Sequence, residues 1–121
     1  MKYILLVHHD EHVLAELSET ELQQMREESV HLANQIYASG QYLDAAPLQP
    51  TSTAACVRVR EGKRLVTDGP FAETREQLGG YFLINARNLD EAIGIGGQIP
   101  GARIGTVEIR PVMEIAGLPE K

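Results

Sequence analysis

Two short stretches hold most of the side chains able to do chemistry. The first is Asp68-Gly69-Pro70-Phe71-Ala72-Glu73, where two carboxylates stand five positions apart around a glycine-proline turn. Like charges held close push one pKa upward, so Asp68 and Glu73 are candidate catalytic residues, one as acid and one as base. Each also has a structural reading. Asp68 can accept backbone N–H bonds of its own turn, and Glu73 suits the first turn of a short helix beginning at Pro70, where the helix dipole favours negative charge. Phe71 reads either as a plug under the turn or as a ligand contact.

The second stretch is His8-His9-Asp10-Glu11-His12. It resembles a metal site in composition, but His8 and His9 point to opposite faces if the strand before them continues, and no second ligand pair follows at a suitable spacing. No metal is expected. A histidine at a strand end, His9, is the third catalytic candidate, because imidazole exchanges protons near neutral pH. Gly94-Ile95-Gly96-Gly97 lacks the Lys-Ser/Thr and the preceding strand of a phosphate loop, so no nucleotide cofactor is predicted. Cys56, the single cysteine, reads as a small apolar strand residue.

These residues need elements to position them. Lys2 to Val7 is a nearly continuous apolar run suited to a central strand, after which the polar histidine stretch should leave the sheet. Ser18-Glu19-Thr20-Glu21 has the form of a capping box, and Leu22, Met25, Leu32, Ala33 and Ile36 form one stripe of a helix placed at about 19 to 39. Tyr42 to Leu48 reads as a short edge strand limited by Pro47 and Pro50. Ala54–Arg60 and Lys63–Asp68 form a hairpin around Glu61-Gly62, with Val57 opposite Val66 and Ala55 opposite Asp68. Tyr81 to Ile84 is a second central strand. Asn88 caps a helix through Ile93 that the glycines at 94, 96 and 97 should shorten or fray, and Ile104 to Val112 is the last strand.

The order is strand, helix, strand, hairpin, strand, helix, strand. That is a ferredoxin-like α+β sandwich with an inserted hairpin, and it leaves one sheet face without helices. A bare face favours a symmetric homodimer. The 121 residues suit one domain, 1–121. A net charge of -6 disfavours nucleic acid, and the opening apolar run is far short of the roughly 20 residues of a membrane span. One cysteine and no visible targeting segment fit the cytoplasm.

Val66-Thr67-Asp68-Gly69-Pro70-Phe71-Ala72-Glu73-Thr74-Arg75-Glu76-Gln77-Leu78-Gly79-Gly80-Tyr81 resembles the signature block of the YCII-related family, in its DGPF branch. Met1-Lys2-Tyr3-Ile4-Leu5-Leu6, Leu48-Gln49-Pro50, Val57-Arg58-Val59-Arg60, Leu89-Asp90-Glu91-Ala92 and Gly105–Met113 agree in order, so the resemblance covers nearly the whole chain. It implies a dimeric α+β barrel, two sheets face to face with a small-molecule pocket in each subunit. Phe71, Gln77 and Tyr81 of the block are the expected ligand contacts. Relatives elsewhere in the superfamily are isomerases, dehalogenating enzymes and small monooxygenases, and the expectation here is a cofactor-independent acid–base enzyme, while the company some branch members keep with extracytoplasmic-type sigma factors implies a regulatory module as the alternative. Shorter members pair a histidine of the first helix with an aspartate. Here those would be His31 and Asp44, but His31 lies about 150° from the centre of the apolar stripe by the 3.6-residue period, and Ser29 occupies the stripe instead.

Overall fold

A computed structural model describes residues 1–119. Four strands form one antiparallel sheet in the order β2-β5-β1-β6, and two more form a separate ribbon, β3-β4. The sheet strands are β1 (Lys2–His9), β2 (Tyr42–Pro47), β5 (Gln77–Asn85) and β6 (Gly105–Pro111), and the ribbon strands are β3 (Ala55–Arg60) and β4 (Lys63–Asp68). The helices are α1 (Glu11–Ala15), α2 (Glu19–Ala38) and α3 (Leu89–Gly96), with 3-10 turns at Thr51–Thr53 and Pro100–Arg103. This is the ferredoxin-like α+β arrangement, an open sheet with no closed barrel among the described residues. The two apolar strands take the centre and the proline-limited β2 takes an edge, where a missing N–H disturbs no ladder.

Alternation along β5 is regular, with Gly80, Phe82 and Ile84 buried and Tyr81, Leu83 and Asn85 only half-buried. In β1, Tyr3 and Leu5 stand opposite Ile84 and Phe82, so the four share one face. That face packs with Leu32 and Ile36 of α2 and Ala92 and Ile95 of α3, and Leu5 and Ile84 have no solvent exposure. The opposite face carries Ile4, Leu6, His8, Tyr81 and Leu83, all half-buried, and among the described residues the core-forming side chains of α2 and α3 pack on the other face.

Local signals explain most boundaries. The Ser18 hydroxyl accepts the Glu21 N–H while the Glu21 carboxylate accepts that of Ser18, which closes the capping box and starts α2. At its other end Gly40, at φ 79°, lets the Gln41 N–H turn back to the Ile36 carbonyl. The ribbon turns on Glu61 and Gly62, both at positive φ, and its register puts Val57 against Val66 and Ala55 against Asp68, as the sequence predicts.

Three elements differ from expectation. The histidine stretch does not leave the sheet at once: β1 runs on to His9, and Asp10 then caps α1 by accepting the His12 N–H at 2.9 Å. No helix follows Pro70. The Gln77 side-chain amide donates to the Ala72 and Thr74 carbonyls at 2.7 and 3.0 Å, and the Thr74 hydroxyl donates to the Glu76 carbonyl, so side chains take over the backbone acceptors of a first turn. Finally, α3 holds to Gly96 despite its glycines. A Cβ at Gly96 would meet Ile109 at 3.1 Å and Val107 at 3.4 Å, so the glycine allows the helix to approach the sheet closely.

The ribbon is another matter. Val57, Val59 and Val66 are each more than 60% exposed, and both strands pair only with each other. Stability should therefore be concentrated in the four-stranded layer. Ile84→Ala should cost about 2–5 kcal/mol of unfolding free energy in urea denaturation, as buried large-to-small changes do, while Val57→Ala on the ribbon should stay within about 0.5 kcal/mol.

Candidate functional site

A cleft of about 840 Å³ opens between α2 and the end of the sheet where β1 finishes. The apolar stripe of α2 serves both core and cleft. Leu32 and Ile36 belong to the core, Leu22 and Met25 line the cleft together with Leu14 of α1, and Ala33 lines the cleft while packing against the core. The sheet supplies Val7, His9, Pro47, Gly79, Gly80 and Phe82, and the chain after β2 supplies Leu48, Gln49 and Pro50. The lining is largely apolar with a few polar groups, the usual constitution of a small-molecule site.

His9 is the titratable group most closely built into it. The β1–β5 register slips between Val7 and His8, so Gly79 is an extra residue opposite β1. The His9 ring occupies the space that slip opens: a Cβ at position 79 would lie 1.9 Å from the ring's Cε1. Only glycine fits there. Burial holds the His9 pKa below its ordinary value against the opposing pull of Glu11 and Glu76, so the neutral imidazole predominates at pH 7.

Glu11 is the second group. Its carboxylate accepts the Thr51 N–H at 3.0 Å and also the Thr51 hydroxyl, and these bonds hold its pKa below the usual carboxylate value. An anchored anion thus lies close enough to His9 to favour any imidazolium that forms. Sequence reading passed over Glu11 and Thr51, because 40 residues separate them and neither belongs to a recognisable motif.

The other sequence candidates are distributed more widely. Asp68 and Glu73 are exposed and do not line the cleft, nor does Asp68 accept a hydrogen bond from its own turn: the Gly69 N–H goes to the Ala54 carbonyl at 2.8 Å. Phe71 is 79% exposed, with the Arg58 guanidinium 5.6 Å from its ring centroid. Gln77 fastens the 72–76 loop. Tyr81 borders the cleft, yet alternation turns its ring to the opposite face, where its hydroxyl donates to Asp44 at 2.7 Å and this bond raises its pKa. His31 is exposed on α2 and does not line the cleft. His8 and His9 do face opposite ways, His8 meeting Glu108 at 3.0 Å. Among the described residues no three His, Cys, Asp or Glu side chains gather as a metal site, and no helix is long and apolar enough to cross a membrane.

A ferredoxin-like α+β sandwich with an apolar cleft under its first long helix and a desolvated histidine in the cleft wall defines the class. Sequence comparison is more particular: residues 1–116 match the model of the YCII-related domain, and the chain belongs to that family. It is similar to an uncharacterized protein of Rhizobium meliloti (strain 1021), 35% identical over 114 residues that span 93% of this chain and 92% of the relative.

The geometry around His9 sets its titration. In an NMR titration the His9 ring should show a midpoint below 6.5, the ordinary value. Glu11→Gln should lower it further, since the carboxylate favours the imidazolium. Because the folded-state pKa lies below the unfolded one, the His9 contribution to stability is complete above pH 6.5 and is lost as pH falls through the folded pKa. A midpoint unmoved by Glu11→Gln would show that the two groups do not interact.

Proposed function

We propose that this chain, as a member of the DGPF branch, forms a homodimer that binds a small organic molecule in the cleft beneath α2. In this reading it is a cofactor-independent enzyme in which His9 transfers the proton. The observation that carries it is the desolvated His9 imidazole in the wall of an apolar cleft of about 840 Å³. A neutral histidine near pH 7 can accept a proton, and the nearby Glu11 carboxylate would stabilise the imidazolium that results.

Homodimerisation is favoured by the helix-free sheet face, whose Ile4, Leu6 and Leu83 would be covered by the same face of a second copy, giving the dimeric α+β barrel. Asp68 and Glu73 stand outside the cleft of their own chain, so a catalytic role for either requires a cleft completed by a second chain. The alternative, a non-catalytic module acting with an extracytoplasmic-type sigma factor, draws on the unpaired ribbon: an isolated two-stranded hairpin with exposed valines is marginal in water and gains from a partner.

Three variants separate these readings. In a ligand-detected NMR screen of small organic compounds, binders of the wild-type protein should be lost in Val30→Trp, which fills the cleft from an exposed helix position. His9→Gln should keep those binders but abolish any C–H proton exchange into deuterated water that the wild type catalyses. A set of binders indifferent to Val30→Trp would rule out the cleft. Sedimentation should give about twice the 13.3 kDa chain mass, and Leu6→Glu should reduce it to one chain.

A further inference from the structure

Among the described residues that line the proposed cleft, Arg26 is the one arginine or lysine, and its surroundings identify a class of ligand. Arg26 lies four residues after Leu22 and four before Val30, so helical spacing sets it in the row of α2 side chains that line the cleft. The helix is acidic, and its carboxylates nearby are engaged elsewhere. Glu28 receives both Arg103 terminal nitrogens at 2.9 and 3.2 Å, and Glu27 accepts the Gln23 side-chain amide at 3.3 Å. Neither Glu27 nor Glu28 is three or four positions from Arg26, the spacing at which helical side chains meet. The cleft's own anion, Glu11, is held by the Thr51 hydroxyl and N–H. Arg26 therefore makes no ion pair or hydrogen bond among the described residues.

Around it the lining is aliphatic, from Leu22, Met25, Val30 and Ala33. A guanidinium offers a planar fork of donors that fits a carboxylate bidentately. The chain as a whole carries a charge of -6, which repels anions, so an anionic ligand needs a local cation to enter. The geometry points to a small carboxylic acid with an apolar body as the ligand of this cleft. Its carboxylate pairs with Arg26, and its hydrocarbon part lies along the aliphatic row of α2. Resting on the cleft reading, this assignment adds charge and class to what was there only a volume and a base.

Three probes of one shape test it: 3-phenylpropanoate, 3-phenylpropanamide and 3-phenylpropylammonium, each titrated into the full chain while the methyl resonances of Met25 and Ala33 are followed. The acid should bind at least about tenfold more tightly than the amide, which corresponds to about 1.4 kcal/mol, and the ammonium most weakly of the three. Arg26→Gln, at an exposed position that should leave the fold intact, should bring the acid down to the amide's affinity and leave the amide unchanged. Equal binding of acid and amide to the wild type, or a preference for the acid that survives Arg26→Gln, overturns the carboxylate assignment while the cleft reading stands. If none of the three moves those methyls, the cleft and its ligand class both fall.

Discussion

The four-stranded layer is referred to β1, which like its neighbour β5 is hydrogen-bonded on both sides and is covered by helices on one face. Pairing with β5 and β6 satisfies its backbone groups, and the burial of Tyr3 and Leu5 beneath α2 and α3 sets which way its side chains alternate. A sheet with one buried face cannot slip by a single residue without exchanging core for surface, so this one strand fixes the orientation of its neighbours. The local slip after Val7 is tolerated because it occurs beyond the packed segment, against a glycine. It directs the last residue of the strand, His9, into the cleft.

Much of the fold is legible in the sequence because its signals are local and agree with one another. The capping box at Ser18, the Glu61-Gly62 turn, the two apolar runs and the prolines after β2 each specify an element, and together they admit few topologies. Where the reading departs from the structure, a tertiary contact outweighs a local preference. The glycines of α3 lower its helix propensity, but at Gly96 they permit close packing on Val107 and Ile109. The residues after Pro70 have the composition of a helix start, yet Gln77 and Thr74 engage the carbonyls that a helix would need.

The candidate site was less legible, for a physical reason. The conspicuous DGPFAE block lies outside the cleft, and its glycine and proline shape the return from ribbon to sheet. The groups that meet in the cleft are instead drawn from a strand end, a five-residue helix, a 3-10 turn and the long helix, and only folding brings them together. His9 could be nominated from its place at the end of an apolar run. Glu11, Thr51 and Arg26 could not, since an ion's significance here depends on which of its neighbours are already occupied.

The division of the α2 stripe has a consequence for how such a protein can diversify. The side chains that secure the fold, Leu32 and Ile36, and most of those that face the cleft are different residues of α2, with Ala33 shared between them. Exchanges at Leu22, Met25, Arg26 or Val30 can reshape what the cleft accepts while Leu32 and Ile36 keep the helix seated on the sheet. Selection for a new ligand and selection for a durable scaffold can then act on separate codons of a single helix, so one architecture can acquire many specificities with little change in its frame.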